Sequence, residues 1–277
     1  MQRADVTDAV WAALLARRND DAAAGPSQEW SEAERAAWEL YAPLATGHPG
    51  AHLFAQVGQS LDGRIATPSG DATDVSGPEG LKHLHRCRAL ADAVVVGVKT
   101  ALQDDPRLTV RLVPGPSPAR VIIDPRGRLP DSAKALTDAS VRRVVIQASD
   151  RPRAPGVEVV RLTPAECGWI APEDIAGALA DLGFGRVLIE GGCVTIQRFL
   201  DAGLLHRLHV AVAPLIIGDG PSGLRTAPVA RLRDALRPET RVYGLETDVV
   251  FDCALANPGN AKMSRCPTEP KVVAARA

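Results

Sequence analysis

The chain has 277 residues, 32 Lys plus Arg against 33 Asp plus Glu for a formal charge of −1, and 45% hydrophobic residues. That is the composition of a globular protein, long enough for one large domain with appendages or for two small ones. The balanced charge argues against a dedicated nucleic-acid binder, which needs a basic excess to neutralise phosphates. No stretch approaches the roughly 20 apolar residues that span a bilayer, and the early charges Arg3 and Asp5 leave no apolar core for a signal peptide. Cys87, Cys167, Cys193, Cys253 and Cys266 are scattered, without a C-x-x-C, so neither a disulfide framework nor a zinc site is signalled. The expectation is a cytoplasmic protein with no metal, no membrane contact and no nucleic-acid partner.

In chain order, Val10, Trp11, Leu14 and Leu15 have helical spacing. After the loop Ala24-Gly25-Pro26-Ser27, Ser31 with Glu34 reads as a capping box opening a second helix with Ala33, Ala37, Trp38 and Leu40. Residues 1–50 therefore read as a helical N-terminal extension, with Trp30, Trp38 and Tyr41 as packing residues. From residue 51, strand-like runs at 52–59, 93–97, 120–124, 143–147, 157–162, 186–190, 208–217 and 249–255 alternate with helical stretches at 78–90, 100–103, 172–182 and 193–202. Continuous Val/Ile runs are the mark of strands covered on both faces. The pattern predicts an α/β fold over 51–256, a mainly parallel sheet with helices on both faces and an antiparallel edge. Residues 257–277 lack periodicity and read as a disordered tail.

One segment carries the strongest chemical signal. In Leu188-Ile189-Glu190-Gly191-Gly192-Cys193 an apolar strand ends in a carboxylate, then Gly-Gly, then a helix. Two glycines let a phosphate approach the backbone, and a helix N-terminus attracts it. The position is the carboxyl end of a strand, where open α/β sheets bind ligands. A tight turn with no ligand has the same pattern, and G-x-G-x-x-G is absent. Gly97-Val98-Lys99-Thr100 also follows a strand and leads into Asp104-Asp105-Pro106, which equally reads as a helix end. Arg88 and Arg111 flank this block, and Arg suits bidentate phosphate recognition. His83 with His85, and His206 with His209, have spacings that place each pair on opposite faces, and no G-x-S-x-G supports a hydrolase triad.

Together these segments resemble the pyrimidine reductase of riboflavin biosynthesis, which in many bacteria is the C-terminal half of a bifunctional deaminase/reductase. The resemblance rests on Phe54 through Ala66, on Gly97 through Arg111, on Val121-Ile122-Ile123-Asp124, and on Ile189-Glu190-Gly191-Gly192 with Phe199-Leu200, Leu204 and Ala213-Pro214. It covers roughly residues 51–255, with the four blocks in order. It implies a dihydrofolate-reductase-like fold, a homodimer, NADPH as cofactor, and reduction of the ribosyl group of 5-amino-6-(5-phosphoribosylamino)uracil to ribityl. By position, Thr100, Asp104 and Gly191 would contact the cofactor, and residues 192–198, opening with Gly192, Cys193, Val194 and Thr195, would cradle its pyrophosphate. Arg88, Leu108, Arg111 and Glu190 would line the substrate site, the two arginines on the ribose phosphate and Glu190 as the catalytic carboxylate. Arg126 and Arg128 are candidates for the 2′-phosphate of NADPH.

The sequence departs from the family twice. Asp74 stands where the family often has an aromatic residue, which leaves the exact substrate open. The H-x-E and P-C-x-x-C of a zinc deaminase are absent, so a stand-alone reductase is expected. A dihydrofolate or pterin reductase, and an inactive nucleotide-binding paralogue, are the alternatives. The first fits less well, because Gly97-Val98-Lys99-Thr100 lacks the Arg that usually follows the Gly in dihydrofolate reductases.

Overall fold

The computed structural model describes residues 1–20, 25–47, 50–73 and 75–255; Asp74 and the expected tail lie outside them. The front of the chain forms β1 (Gln2–Arg3), α1 (Asp8–Asn19) and α2 (Glu32–Ala45). The capping box is formed as expected, the Ser31 hydroxyl accepting from the Glu34 amide and the Glu34 carboxylate accepting from the Ser31 amide. Then follow β2 (His52–Ser60), α3 (Pro78–Leu90), β3 (Ala93–Gly97), α4 (Val98–Asp104), β4 (Ala119–Ile123), α5 (Lys134–Thr137), β5 (Arg143–Gln147), β6 (Val157–Arg161), α6 (Pro172–Asp181), β7 (Arg186–Gly191), α7 (Cys193–Asp201), β8 (Arg207–Ala213), β9 (Glu239–Leu245) and β10 (Asp248–Ala254).

Among the described residues the strands form one sheet in the order β1-β9-β10-β8-β2-β7-β3-β4-β5-β6. The pairings from β8 through β6 are parallel, and β10 runs antiparallel to both β8 and β9. This is the predicted mainly parallel sheet with an antiparallel edge. Adjacent residues of one strand feed opposite cores. Val94, Val96, Phe54 and Leu188 pack under α1, α2 and α3, while Val95, Ala55, Val187 and Ile189 pack against α6 and α7. Two-sided burial is why these strands read as unbroken apolar runs.

The helical extension shares the first core. The Trp11 indole donates to the Pro114 carbonyl at 2.8 Å, Tyr41 is fully buried, and β1 pairs in parallel with β9 at the sheet edge. Neither β1 nor β9 is foreseen from the sequence. The run expected over 208–217 stops at Ala213, where Pro214 has no amide to continue the ladder. Both edges of β8 and β10 are occupied by neighbouring strands, so edge pairing through these two is closed to a second copy. Cys167 is disulfide-bonded, a link that the cysteine spacing does not signal. No helix among the described residues is long and apolar enough to cross a membrane.

Candidate functional site

The two glycine turns meet. Gly97 ends β3 and Gly192 follows β7, and each faces a threonine of the other turn. A Cβ on Gly192 (φ +74°) would lie 2.7 Å from Thr100 Oγ1, and one on Gly97 would lie 2.5 Å from Thr195 Oγ1. A Cβ on Gly191 would meet Val96 Cγ1 at 2.7 Å. The backbones of the two strand-to-helix turns thus interlock at side-chain-free points. Gly192 provides no side-chain cap for α7; the Thr195 and Ile196 amides donate to the Gly192 carbonyl, while Cys193 and Val194, the other residues of the first turn, border the space above, where an anion is favoured.

That space is a cleft of about 600 Å³. Of the residues singled out from the sequence, Thr100, Asp104, Leu108, Glu190, Gly191, Gly192, Cys193, Val194 and Thr195 line it; Arg88 and Arg111 do not. Asp104 and Asp105 part company. Asp104 faces the cleft, whose walls withdraw water and push its carboxyl up from the ordinary 3.8. Asp105, the left-handed C-cap of α4, accepts from the Lys134 amide at 2.8 Å. The helix-end reading of Asp104-Asp105-Pro106 is therefore correct for Asp105, while Asp104 remains at the site.

Glu190 occupies a break in register. Val95 pairs with Ile189, but Val96 pairs with Gly191, so Glu190 is the extra residue of a bulge, a device that re-aims a side chain. Its carboxylate accepts from Arg88 through Nε at 2.6 Å and through Nη2. Arg88 Nη1 donates to the Thr109 carbonyl at 3.0 Å. The Arg88 side chain is only 7% exposed. Burial works against its charge, but Glu190 outweighs burial and raises its pKa. Arg88 is thus the anchor of Glu190 and of the 109 loop, and its fork is already used.

Arg111 is exposed and follows that loop. Its backbone amide donates to His85 Nδ1 at 2.9 Å. Burial, then Arg88 and Arg111, push His85 down to about 4, which keeps the ring neutral and able to accept. Burial and the nearby Arg88 and Arg107 lower the Arg111 pKa, so positive charge is concentrated beside Glu190. Leu108 is 1% exposed and left-handed at φ +55°; such backbone strain clusters at functional sites.

On the opposite wall, Asp124 is fully buried and accepts from the amides of Arg128 and Leu129 and from Arg153 Nη2 at 2.7 Å. This fixes the turn that brings Arg128, but not Arg126, to the cleft. Trp169 and Arg198 also line it, with the guanidinium 4.9 Å from the indole ring centre. Trp169 was not anticipated; a lone Trp in the loop before α6 has no spacing to betray it.

The comparisons agree with this geometry. The profile of the RibD C-terminal domain matches residues 51–237, and the chain belongs to that family. It is 31% identical over 209 residues to the 2,5-diamino-6-ribosylamino-4(3H)-pyrimidinone 5′-phosphate reductase of Methanothermobacter thermautotrophicus, covering 73% of this chain and 96% of the relative. It is 36% identical over 170 residues to the riboflavin biosynthesis protein RibD of Aquifex aeolicus, covering 59% of this chain and 46% of that one, so it spans about half of the longer relative. The Acinetobacter baumannii RibD structure (form 2) superposes with a TM-score of 0.62 at 26% identity, over 79% of this chain and 60% of that one.

Proposed function

We propose that this chain is an NADPH-dependent reductase of a phosphoribosylated pyrimidine in riboflavin biosynthesis, converting the ribosyl group of 5-amino-6-(5-phosphoribosylamino)uracil to ribityl. The observation that carries the reading is the interlocked pair of glycine turns, which opens the backbone of one cleft to a phosphate beside the anchored carboxylate of Glu190. When bound, NADPH supplies the hydride, accepted at C1′ of the opened sugar. The residues present fit such a dinucleotide. Amides at the start of α7 receive the pyrophosphate, Thr100 and Asp104 border the cofactor, and Arg128 is within the same cleft for a 2′-phosphate.

Glu190, held by Arg88, orients the sugar–pyrimidine end and is the candidate for moving a proton at the sugar oxygen. Leu108 forms an apolar wall. The substrate phosphate is assigned to Arg111 with Arg107, not to Arg88, whose donors are taken. Bringing two flat, phosphorylated molecules face to face is most of what a hydride transfer needs from its protein. A cytoplasmic homodimer is part of this reading, and the exposed Ile216, Leu232 and Leu236 offer its apolar contact.

A second reading concerns order. The archaeal relative matched along nearly its whole length is named for the substrate still carrying its 2-amino group, which would place reduction before deamination. The test follows NADPH absorbance with the uracil compound, with its 2-amino precursor and with dihydrofolate. Oxidation with the first supports the proposal, and faster oxidation with the second selects the other order. Oxidation by dihydrofolate alone, or by none despite NADPH binding, refutes it.

A further inference from the structure

Between α3 and β8, three side chains unrelated to the cleft meet in the core. His83 and Cys87 are one helical turn apart on α3, and His209 lies beneath them on β8. All three are buried, at 0%, 0% and 1% exposure. Cys87 Sγ is 3.8 Å from His83 Nε2 and 4.0 Å from His209 Nδ1, and the three atoms lie within 4.8 Å of one another. The circle through the three atoms has a radius of about 2.5 Å, so an ion at zinc–nitrogen and zinc–sulfur distances of roughly 2.0–2.3 Å draws the three ligands in by a few tenths of an ångström.

The outer ring nitrogens each have a polar neighbour on the protein. Tyr41 Oη is 2.8 Å from His83 Nδ1. His209 Nε2 is 3.2 Å from Asp252 Oδ1, which also accepts from Arg207 Nη1 at 2.5 Å. An outer neighbour on each imidazole, a carboxylate on one of them, is the support that orients histidines on a metal; the two rings lie stacked, 23° from parallel with centres 5.2 Å apart, so binding requires them to tilt toward a common point. Asp252, 2% exposed, adds a buried negative charge facing the trio.

We propose that His83, Cys87 and His209 bind one zinc-class divalent ion, tying α3 to β8. Cys87 binds as the thiolate, its proton passing to solvent, and a water completes the tetrahedron. The ion's place is structural. It is enclosed, and it sits on the helix that also carries Arg88, the anchor of Glu190. The grouping crosses elements, which is why the spacing within each histidine pair points away from it.

The test uses tag-free full-length protein stripped with chelator, then titrated with Co²⁺ both as folded and during refolding. The expected result is one cobalt per chain, with a near-ultraviolet thiolate-to-cobalt band and visible bands of tetrahedral strength. Cys193→Ser keeps the bands, while Cys87→Ser and His209→Gln lose them. Zinc raises Tm by roughly 5–10 °C at a hundredfold excess over its Kd, and does so only when Cys87 is present. Should the Cys87 variant fail to fold, the wild-type titration decides alone. No thiolate–cobalt band in either loading regime, or a band that survives Cys87→Ser in a folded variant, overturns the proposal.

Discussion

The Arg88–Glu190 pair offers the sharpest test of how the site is built. Its side chains are 7% and 11% exposed, so the near-zero worth of surface ion pairs does not apply. Removing one partner leaves the other charge buried without its counterion, at a cost of about 3–5 kcal/mol. Glu190→Gln and Arg88→Met should each lower stability by that amount. For a chain of this size that is about 6–20 °C in Tm, at 2–4 °C per kcal/mol. The double variant removes both charges and should recover a large part of the loss, giving a coupling of at least about 2 kcal/mol in a double-mutant cycle. Urea unfolding of the four proteins measures it. Activity separates from stability here, because the double variant regains the fold but not the Glu190 carboxylate, and NADPH oxidation should stay low. Single losses below about 1 kcal/mol, or additive losses in the double variant, would refute a buried, mutually dependent pair.

Gly192→Ala must hold a left-handed backbone, costing about 1–2 kcal/mol, and must push Thr100 aside; NADPH affinity by fluorescence titration should fall at least about tenfold, and an unchanged Kd would remove this turn from the cofactor site. Arg128→Ala should narrow the NADPH/NADH ratio of kcat/KM while Arg126→Ala leaves it alone, since only Arg128 lines the cleft; equal ratios in wild type and Arg128→Ala would refute the assignment. Asp104 has its folded pKa raised above 3.8 by desolvation, so its charge destabilises the fold increasingly as pH rises through that range. Asp104→Asn should therefore raise the Tm of the cofactor-free protein at pH 7, with the gain gone below pH 3.8, and should weaken cofactor binding; a Tm gain that persists in acid would point to packing instead.

What the sequence made legible follows from how local each signal is. The strand at 93–97 and the helix at 78–90 have the expected bounds, the first because Val94, Val95 and Val96 serve both cores, the second because Pro78 starts it. Gly191-Gly192 is readable as a strand-to-helix turn, because the apolar run ends and the next helix begins there, while its ligand is not readable from the pattern. By contrast, β9 mixes Glu239, Thr240 and Arg241 with a glycine and shows a buried face only at Tyr243 and Leu245. The commitment of Arg88 depends on Glu190, 102 residues away, and no spacing rule reaches that far. The trio of His83, Cys87 and His209 is hidden for the same reason, since it exists only once β8 lies beneath α3.

Helix α3 joins these features into one mechanical argument. One face carries His83 and Cys87 toward β8; one residue further on, Arg88 turns to β7 and holds Glu190. The extension presses on the same helix, with the Tyr41 hydroxyl on His83 and the Trp11 indole fixing the Pro114 carbonyl just beyond Arg111. A rotation of α3 by a fraction of a turn would break the Tyr41 contact and withdraw Arg88 from Glu190 together. Residues 1–45 therefore act on the site without lining it, by fixing the rotation of the helix that aims Glu190. Truncating them would be felt as a loss of orientation at the carboxylate before any loss of the proposed cofactor cradle, whose turns follow β3 and β7.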